Sequence, residues 1–182
     1  MIYFVCQRIP MDEKYLIFTV REKQYALPSK IISEVTALEK NFPLPLVPAY
    51  VRGIINRYSV PYALIDICFL LLNEASNARK VIVLKEEVDK LAFLIDDVTD
   101  IVDLSPETPE SVGGTAAGSS VPDQSAPLEG QASPGIKIMK IEKEEAGPGL
   151  ISSYFEWKGG QVFCLEASEI INRIKQDFVQ EV

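Results

Sequence analysis

The chain has 182 residues, of which 47% are hydrophobic and 24% charged, an ordinary globular balance with enough apolar material for one domain or a close pair of small ones. Its formal net charge is −8 and it holds no histidine. The negative charge opposes a nucleic-acid backbone. The missing imidazole excludes Ser-His-Asp and Cys-His nucleophiles, histidine metal ligands and a phosphohistidine carrier.

Met1 to Cys6 is apolar but too short for a signal core, and no basic leader precedes it. Lys14 to Val20 is β-rich, Arg21 to Gln24 is a polar turn, and Tyr25 to Leu27 returns as a second strand, the form of a hairpin. Pro28 and Ser29 open a short helical turn with Ile31, Ile32 and Val35 on one side. Ser29 beside Lys30 makes no Ser-Lys nucleophile pair, because adjacent residues of a helical turn point in different directions. Beyond Leu38, Pro43, Pro45 and Pro48 forbid regular structure.

Gly53 enters an apolar strand, where glycine permits a bulge or a close backbone approach. Asn56 before Arg57-Tyr58-Ser59 suits the start of a hairpin turn. That turn presents an arginine and a tyrosine, types favoured at the energetic centres of protein interfaces, so it reads either as a plain turn or as a partner contact. The apolar run from Val60 to Leu72 contains Asp66 and falls short of the roughly 20 residues of a membrane-spanning helix. Cys6, Cys68 and Cys164 have no C-x-x-C spacing and read as small apolar residues in a reducing cytosol, with no disulfide scaffold and no zinc site.

A weak repeat runs through the chain. A shift of 66 positions lays Lys14 to Leu38 over Lys80 to Leu104, with Ala26 on Ala92, Glu34 on Asp100, Val35 on Ile101 and Leu38 on Leu104. A shift near 100 lays Ile65-Asp66 over Leu165-Glu166, and Trp157 to Gly160 falls where Arg57 to Ser59 breaks the first copy. The order strand, turn, strand, helical turn occurs twice, so we read two related β-units of about 14–72 and 80–172, as in small barrels or sandwiches.

The acids Asp96, Asp97, Asp100 and Asp103 lack the alternating oxygen ligands and central glycine of a calcium loop, and their spacing fits a half-buried strand with its acids toward water. In residues 105–135, 16 of 31 are Gly, Pro or Ser and none is aromatic, too little apolar surface to offset ordering; the segment reads as a flexible insertion or a docking tail. From Ala167 the chain turns helical, about 167–180, with Ile170, Ile171, Ile174 and Phe178 as a stripe for packing on the body.

These pieces together resemble the CheW-like adaptor domains of bacterial chemotaxis. The resemblance rests on Phe18-Thr-Val20, Tyr25-Ala-Leu-Pro28, Ile32-Ser-Glu34-Val35, Pro45-x-x-Pro48-x-Tyr50-x-x-Gly53-Ile-Ile-Asn56, Leu64-Ile-Asp66, Phe93-Leu-Ile-Asp96-Asp97-Val98 and Gly160 to Glu166, over residues 14–172. It implies a mainly β fold of two five-stranded SH3-like barrels related by a pseudo-two-fold repeat, with short helices and a C-terminal helix. It also implies a cytoplasmic, non-enzymatic coupler without cofactor or metal, which joins the cytoplasmic tips of chemoreceptors to the regulatory domain of the histidine kinase CheA.

By position the resemblance assigns partner binding to Ile32, Glu34, Val35, Gly53, Asn56 and Val98, together with Arg57 and Tyr58 of the exposed turn. The family's Asn-Leu-Arg-Gly is here Asn56-Arg57-Tyr58-Ser59, and Ala63 stands at its proline. Tyrosine cannot make an arginine's charge-assisted contact to a carboxylate. Two other readings stay open: a divergent paralogue that binds a kinase or another signalling protein without receptors, and a small-ligand barrel or metal-dependent hydrolase built on the Asp96–Asp103 acids.

Overall fold

A computed structural model describes residues 14–104, 138–140 and 149–180. Met1 to Cys6 and the segment 105–135 lie outside them. The first unit forms β1 (Lys14–Val20), β2 (Lys23–Pro28), a single 3-10 turn at Ser29–Ile31, β3 (Ile32–Ala37), β4 (Val51–Arg57), β5 (Val60–Asp66) and α1 (Ile67–Leu72). The second forms β6 (Lys80–Leu84), β7 (Leu91–Ile95), β8 (Asp97–Asp103), β9 (Ile138–Lys140), β10 (Ile151–Trp157), β11 (Gly160–Leu165) and α2 (Ala167–Gln180). One expectation is corrected here. The helical turn stops at Ile31, and Ile32, Glu34 and Val35 belong to strand β3, where the β-branched residues Ile32, Val35 and Thr36 favour extended backbone.

The strands make one sheet of order β8-β1-β2-β11-β10-β9 and a second of order β3-β6-β7-β5-β4. Replacing each strand of the second sheet by its repeat counterpart reproduces β8-β1-β2-β11-β10, so the repeat is a true pseudo-symmetry; β9 is an added sixth strand. The repeat units and the sheets do not coincide, however. The first unit gives β1 and β2 to one sheet and β3, β4 and β5 to the other, and the second unit reciprocates. A barrel made from each unit alone is therefore replaced by two sheets that share both units. Parallel pairings of β2 with β11 and of β5 with β7 join the units.

Alternation along the strands fills three cores. Tyr15 and Ile17 point into a cluster inside the first sheet with Ala26, Val102, Phe155 and Val162. Val81, Val83, Ala92 and Leu94 point into a cluster inside the second with Ile55, Tyr62 and Leu64. The alternate residues, among them Leu16, Phe18, Val20, Ile82, Leu84, Phe93 and Ile95, meet in a larger cluster between the sheets. Ile170, Ile171 and Ile174 of α2 pack onto that same cluster, while Phe178 stays 39% exposed. Cys68 and Cys164 are buried free thiols, and burial pushes Cys164 up to about 11, so it remains an unreactive apolar filler.

Asp66 ends β5 with no exposed surface. Its Oδ2 accepts from Arg52 Nε at 3.0 Å, Arg52 Nη2 at 2.9 Å and the Ser76 amide at 3.0 Å, and its Oδ1 caps α1 through the Phe69 amide at 3.2 Å. Gly53, expected to bulge or to allow close approach, does both. The β4–β5 register shifts between Val51 and Gly53, and a Cβ on Gly53 would lie 2.1 Å from the Phe42 carbonyl oxygen, at φ +128°. Two backbone hydrogen bonds of 2.8 Å each, between Phe42 and Ile54, hold the crossing segment there.

Gly53→Ala is expected to destabilise the protein by about 3 kcal/mol or more in chemical denaturation, since strain and overlap coincide. Asp66→Asn is expected to cost about 3 kcal/mol in the same measurement, the lower end for breaking a buried pair, because Arg52 retains a route to solvent.

Candidate partner-binding surface

Strand pairing leaves β3 and β4 at opposite edges of the five-stranded sheet, yet three of the candidate residues meet across them. Arg57, the last residue of β4, donates from Nε to Glu34 Oε1 of β3 at 2.7 Å. The Tyr58 hydroxyl donates to Glu34 Oε2 at 3.4 Å, and the Arg57 guanidinium lies 5.5 Å from the centre of the Tyr58 ring, in cation–π range. The sheet thus wraps until a side-chain latch joins its edges. Both partners of the ion pair are 24% exposed, which shields it more than an open surface pair. The hydrogen bond from Arg57 holds the Glu34 carboxyl below its ordinary value against the opposing effect of burial, with the Arg57 charge and the Tyr58 hydroxyl adding to it.

Tyr58 and Ser59 form the two-residue turn with φ of 50° and 67°, the mirror-image turn that matches strand twist. Tyr58 is 84% exposed at its tip. The turn resolves the departure seen in the sequence. Arg57 turns to Glu34 of its own chain, and the residue presented outward is the tyrosine.

The other candidates are distributed elsewhere. Ile32 and Val98, which overlay in the repeat, are half-buried and pack against the cluster between the sheets. Val35 points to the opposite face of β3 from Glu34 and is 41% exposed. Asn56 is exposed opposite Pro61, one residue before the latch. Gly53 is buried beneath Phe42 and Pro43, so it seats that segment and offers no surface of its own.

The repeat makes a second latch that the sequence reading passed over. Asp100 of β8 accepts from Lys158 Nζ at 2.7 Å and from Trp157 Nε1 at 3.3 Å, and the Lys158 ammonium lies 5.5 Å from the centre of the Trp157 ring. Each latch joins one carboxylate to a cation and an aromatic that are neighbours at a hairpin. The signal lay in two separate overlays, the shift of 66 that sets Glu34 on Asp100 and the shift near 100 that brings Trp157-Lys158 to Arg57-Tyr58. Asp100 is accordingly half-buried, whereas Asp97 and Asp103 face outward as expected. The Lys158 hydrogen bond, then the Ile101 amide, hold the Asp100 carboxyl below its ordinary value.

The remaining acids also have protein partners. Asp97 binds the Lys80 ammonium and the Val98 amide, and Asp96 binds the Arg21 amide. Among the described residues no group of three or more acids, cysteines or histidines is arranged to hold a metal ion, and no helix is long and apolar enough to cross a membrane.

Because both latch carboxyls are depressed in the folded state, their stabilisation is complete above the unfolded values and is lost as the pH falls through the folded ones. Stability is expected to decline below about pH 4.5 for Glu34 and about pH 3.8 for Asp100. In urea titrations across this range, Glu34→Gln and Asp100→Asn should flatten the decline. Trp157, the sole tryptophan, should shift its emission in Asp100→Asn but not in Glu34→Gln.

Comparison with known proteins agrees with this architecture. A crystal structure of the scaffolding protein TtCheW from Thermoanaerobacter tengcongensis superposes with a TM-score of 0.55 over 86% of this chain and 90% of that one, at 14% identity, a likeness of fold. No curated protein matches by sequence. The family model of the CheW-like domain matches residues 14–127. With that match across most of its length, the chain belongs to the CheW-like domain family.

Proposed function

We propose that this chain is a non-catalytic, cytoplasmic scaffold of chemotaxis signalling that binds the regulatory domain of the kinase CheA and couples it to chemoreceptor tips. Membership of the CheW-like family supports the reading, and one observation carries it. The latch Glu34–Arg57 fixes a hairpin whose tip holds Tyr58 84% exposed, a rigid aromatic anchor with no catalytic group beside it. Rigid aromatic tips contribute binding energy at small ordering cost. Affinity then comes from modest apolar contacts at the tip and at the seam marked by Ile32 and Val98, with charged rims setting orientation.

A second reading has its own support. Arg57 is engaged within the chain, and a tyrosine stands at the outward position, so the receptor contact differs from one built on a free arginine. On this reading the protein is a divergent paralogue that binds the kinase, or another signalling protein, without receptor coupling.

Mixing the protein with a CheA regulatory domain and a receptor-tip fragment, followed by size-exclusion chromatography, should give co-elution with both. Failure to bind either, where a conventional adaptor binds both, removes the scaffold reading. Tyr58→Arg separates the two forms of it: a gain of receptor affinity favours the divergent paralogue, and a loss of existing binding shows an interface already matched to tyrosine.

A further inference from the structure

The proline-bracketed approach to β4, singled out in the sequence, is not absorbed by the hairpin latch. It carries the most exposed apolar side chain of the described residues. Leu46 is 98% exposed, and Phe42 and Leu44 in the same segment are 51% and 40% exposed. Leu46 also has φ +55°, a left-handed conformation that glycine or asparagine adopts readily and leucine does not. A leucine that is both strained and solvated gains nothing for the isolated fold. Such positions persist where another requirement holds them.

The segment is rigid as well as exposed. Pro43, Pro45 and Pro48 fix its backbone, and the Phe42–Ile54 bridge anchors one end over Gly53. The Asn41 side-chain amide donates to the Arg52 carbonyl at 2.8 Å, and the Val51 amide closes on Pro48 at 2.8 Å. The ridge is therefore organised before any partner arrives, which lowers the entropic cost of docking.

Its charge differs from that of the rest of the chain. From Lys40 to Ile65 the sequence carries Lys40, Arg52 and Arg57 and no acid, although the whole chain is at −8. Arg52 is neutralised by Asp66 and Arg57 by Glu34. Lys40 stays on the ridge, exposed, with its ammonium 4.9 Å from the centre of the Phe42 ring. Glu39, immediately before this stretch, is an exposed acid.

We infer that Phe42, Leu44 and Leu46 form a second docking ridge that inserts into an apolar cleft of a partner protein bordered by carboxylates, which meet Lys40. This rests on the scaffold reading and adds to it a contact separate from the Tyr58 tip. The occupant is a partner protein of opposite local charge, because the ridge combines large apolar side chains with one cation.

The test uses Leu46→Asn, which removes the apolar contact and suits the positive φ, so that misfolding does not confound it. Calorimetric titrations with the CheA regulatory domain and with a receptor-tip fragment should show about a tenfold loss of affinity for at least one of them. The melting temperature should rise by about 2–4 °C. Leu46→Met should preserve binding, and Lys40→Glu should weaken binding to the same probe. Unchanged binding by Leu46→Asn overturns the ridge while leaving the scaffold reading intact. If the unmodified protein binds neither probe, both fall together. Self-association of the unmodified protein that disappears in Leu46→Asn overturns the assignment in favour of a second copy of this chain.

Discussion

A buried carboxylate knots the end of the first unit to the linker that follows it. Asp66 has no exposed surface, and a charge so placed is tolerated only when every lone pair is answered. Its partners come from four places in the chain: β4 through Arg52, α1 through Phe69, the linker between the repeats through Ser76, and, by its own amide, the Tyr50 carbonyl at 2.7 Å. Arg52 in turn donates to the Ser76 carbonyl at 3.0 Å. This network fixes where the chain leaves β5, turns through one short helix and sets out for β6 of the same sheet. The hairpin that ends in Tyr58 is aimed by the same constraint. The second unit has Glu166 at the corresponding place, its amide donating to the Leu150 carbonyl at 2.9 Å, but its side chain accepts from Ser168 instead. Among the described residues, the deep ion pair belongs to one copy only.

The paired latches show how a repeat diverges while its geometry is kept. Both use a carboxylate on β3 or β8, and both take donors from a cation and an aromatic at a hairpin. In the first the cation precedes the aromatic, so arginine is drawn inward and tyrosine is exposed. In the second the order is reversed: tryptophan is drawn inward, and the lysine side chain is 70% exposed. One frame thus presents an aromatic at one tip and a positive charge at the other. A scaffold with two such tips has distinguishable ends.

Much of this was legible in the sequence, and the reasons are local. β-rich apolar runs bounded by a polar turn gave β1 and β2, and the repeat carried the same order to the strands after Lys80. The stripe of Ile170, Ile171 and Ile174 gave α2. The lone Gly53 gave the close approach, since only a missing Cβ permits it. The placement of Ile32 to Val35 failed because a proline-serine start signals a helical turn without saying where it ends, and pairing with β6 decided that. Exchange of strands between the units was hidden for the same reason: periodicity identifies strands and says nothing about their partners. The Glu34–Arg57 latch joins residues whose strands never pair, so only the wrapped sheet shows it. Leu46 read as one more apolar residue among prolines, because exposure and φ are properties of the folded loop.

The exchange of strands also bears on how the chain reaches its native state. Pairings of β1 with β8, β2 with β11 and β3 with β6 each close a long loop before any ladder forms. Neither repeat unit can complete a sheet alone, so the halves do not fold independently; the five-stranded sheet comes from the contiguous stretch Ile32 to Ile95, and the other sheet closes over both ends of it. Such non-local topologies fold slowly, in milliseconds to seconds, for an entropic reason. The same interlock means that neither tip can be released by opening a single unit. A partner that holds one hairpin grips a sheet built from both units.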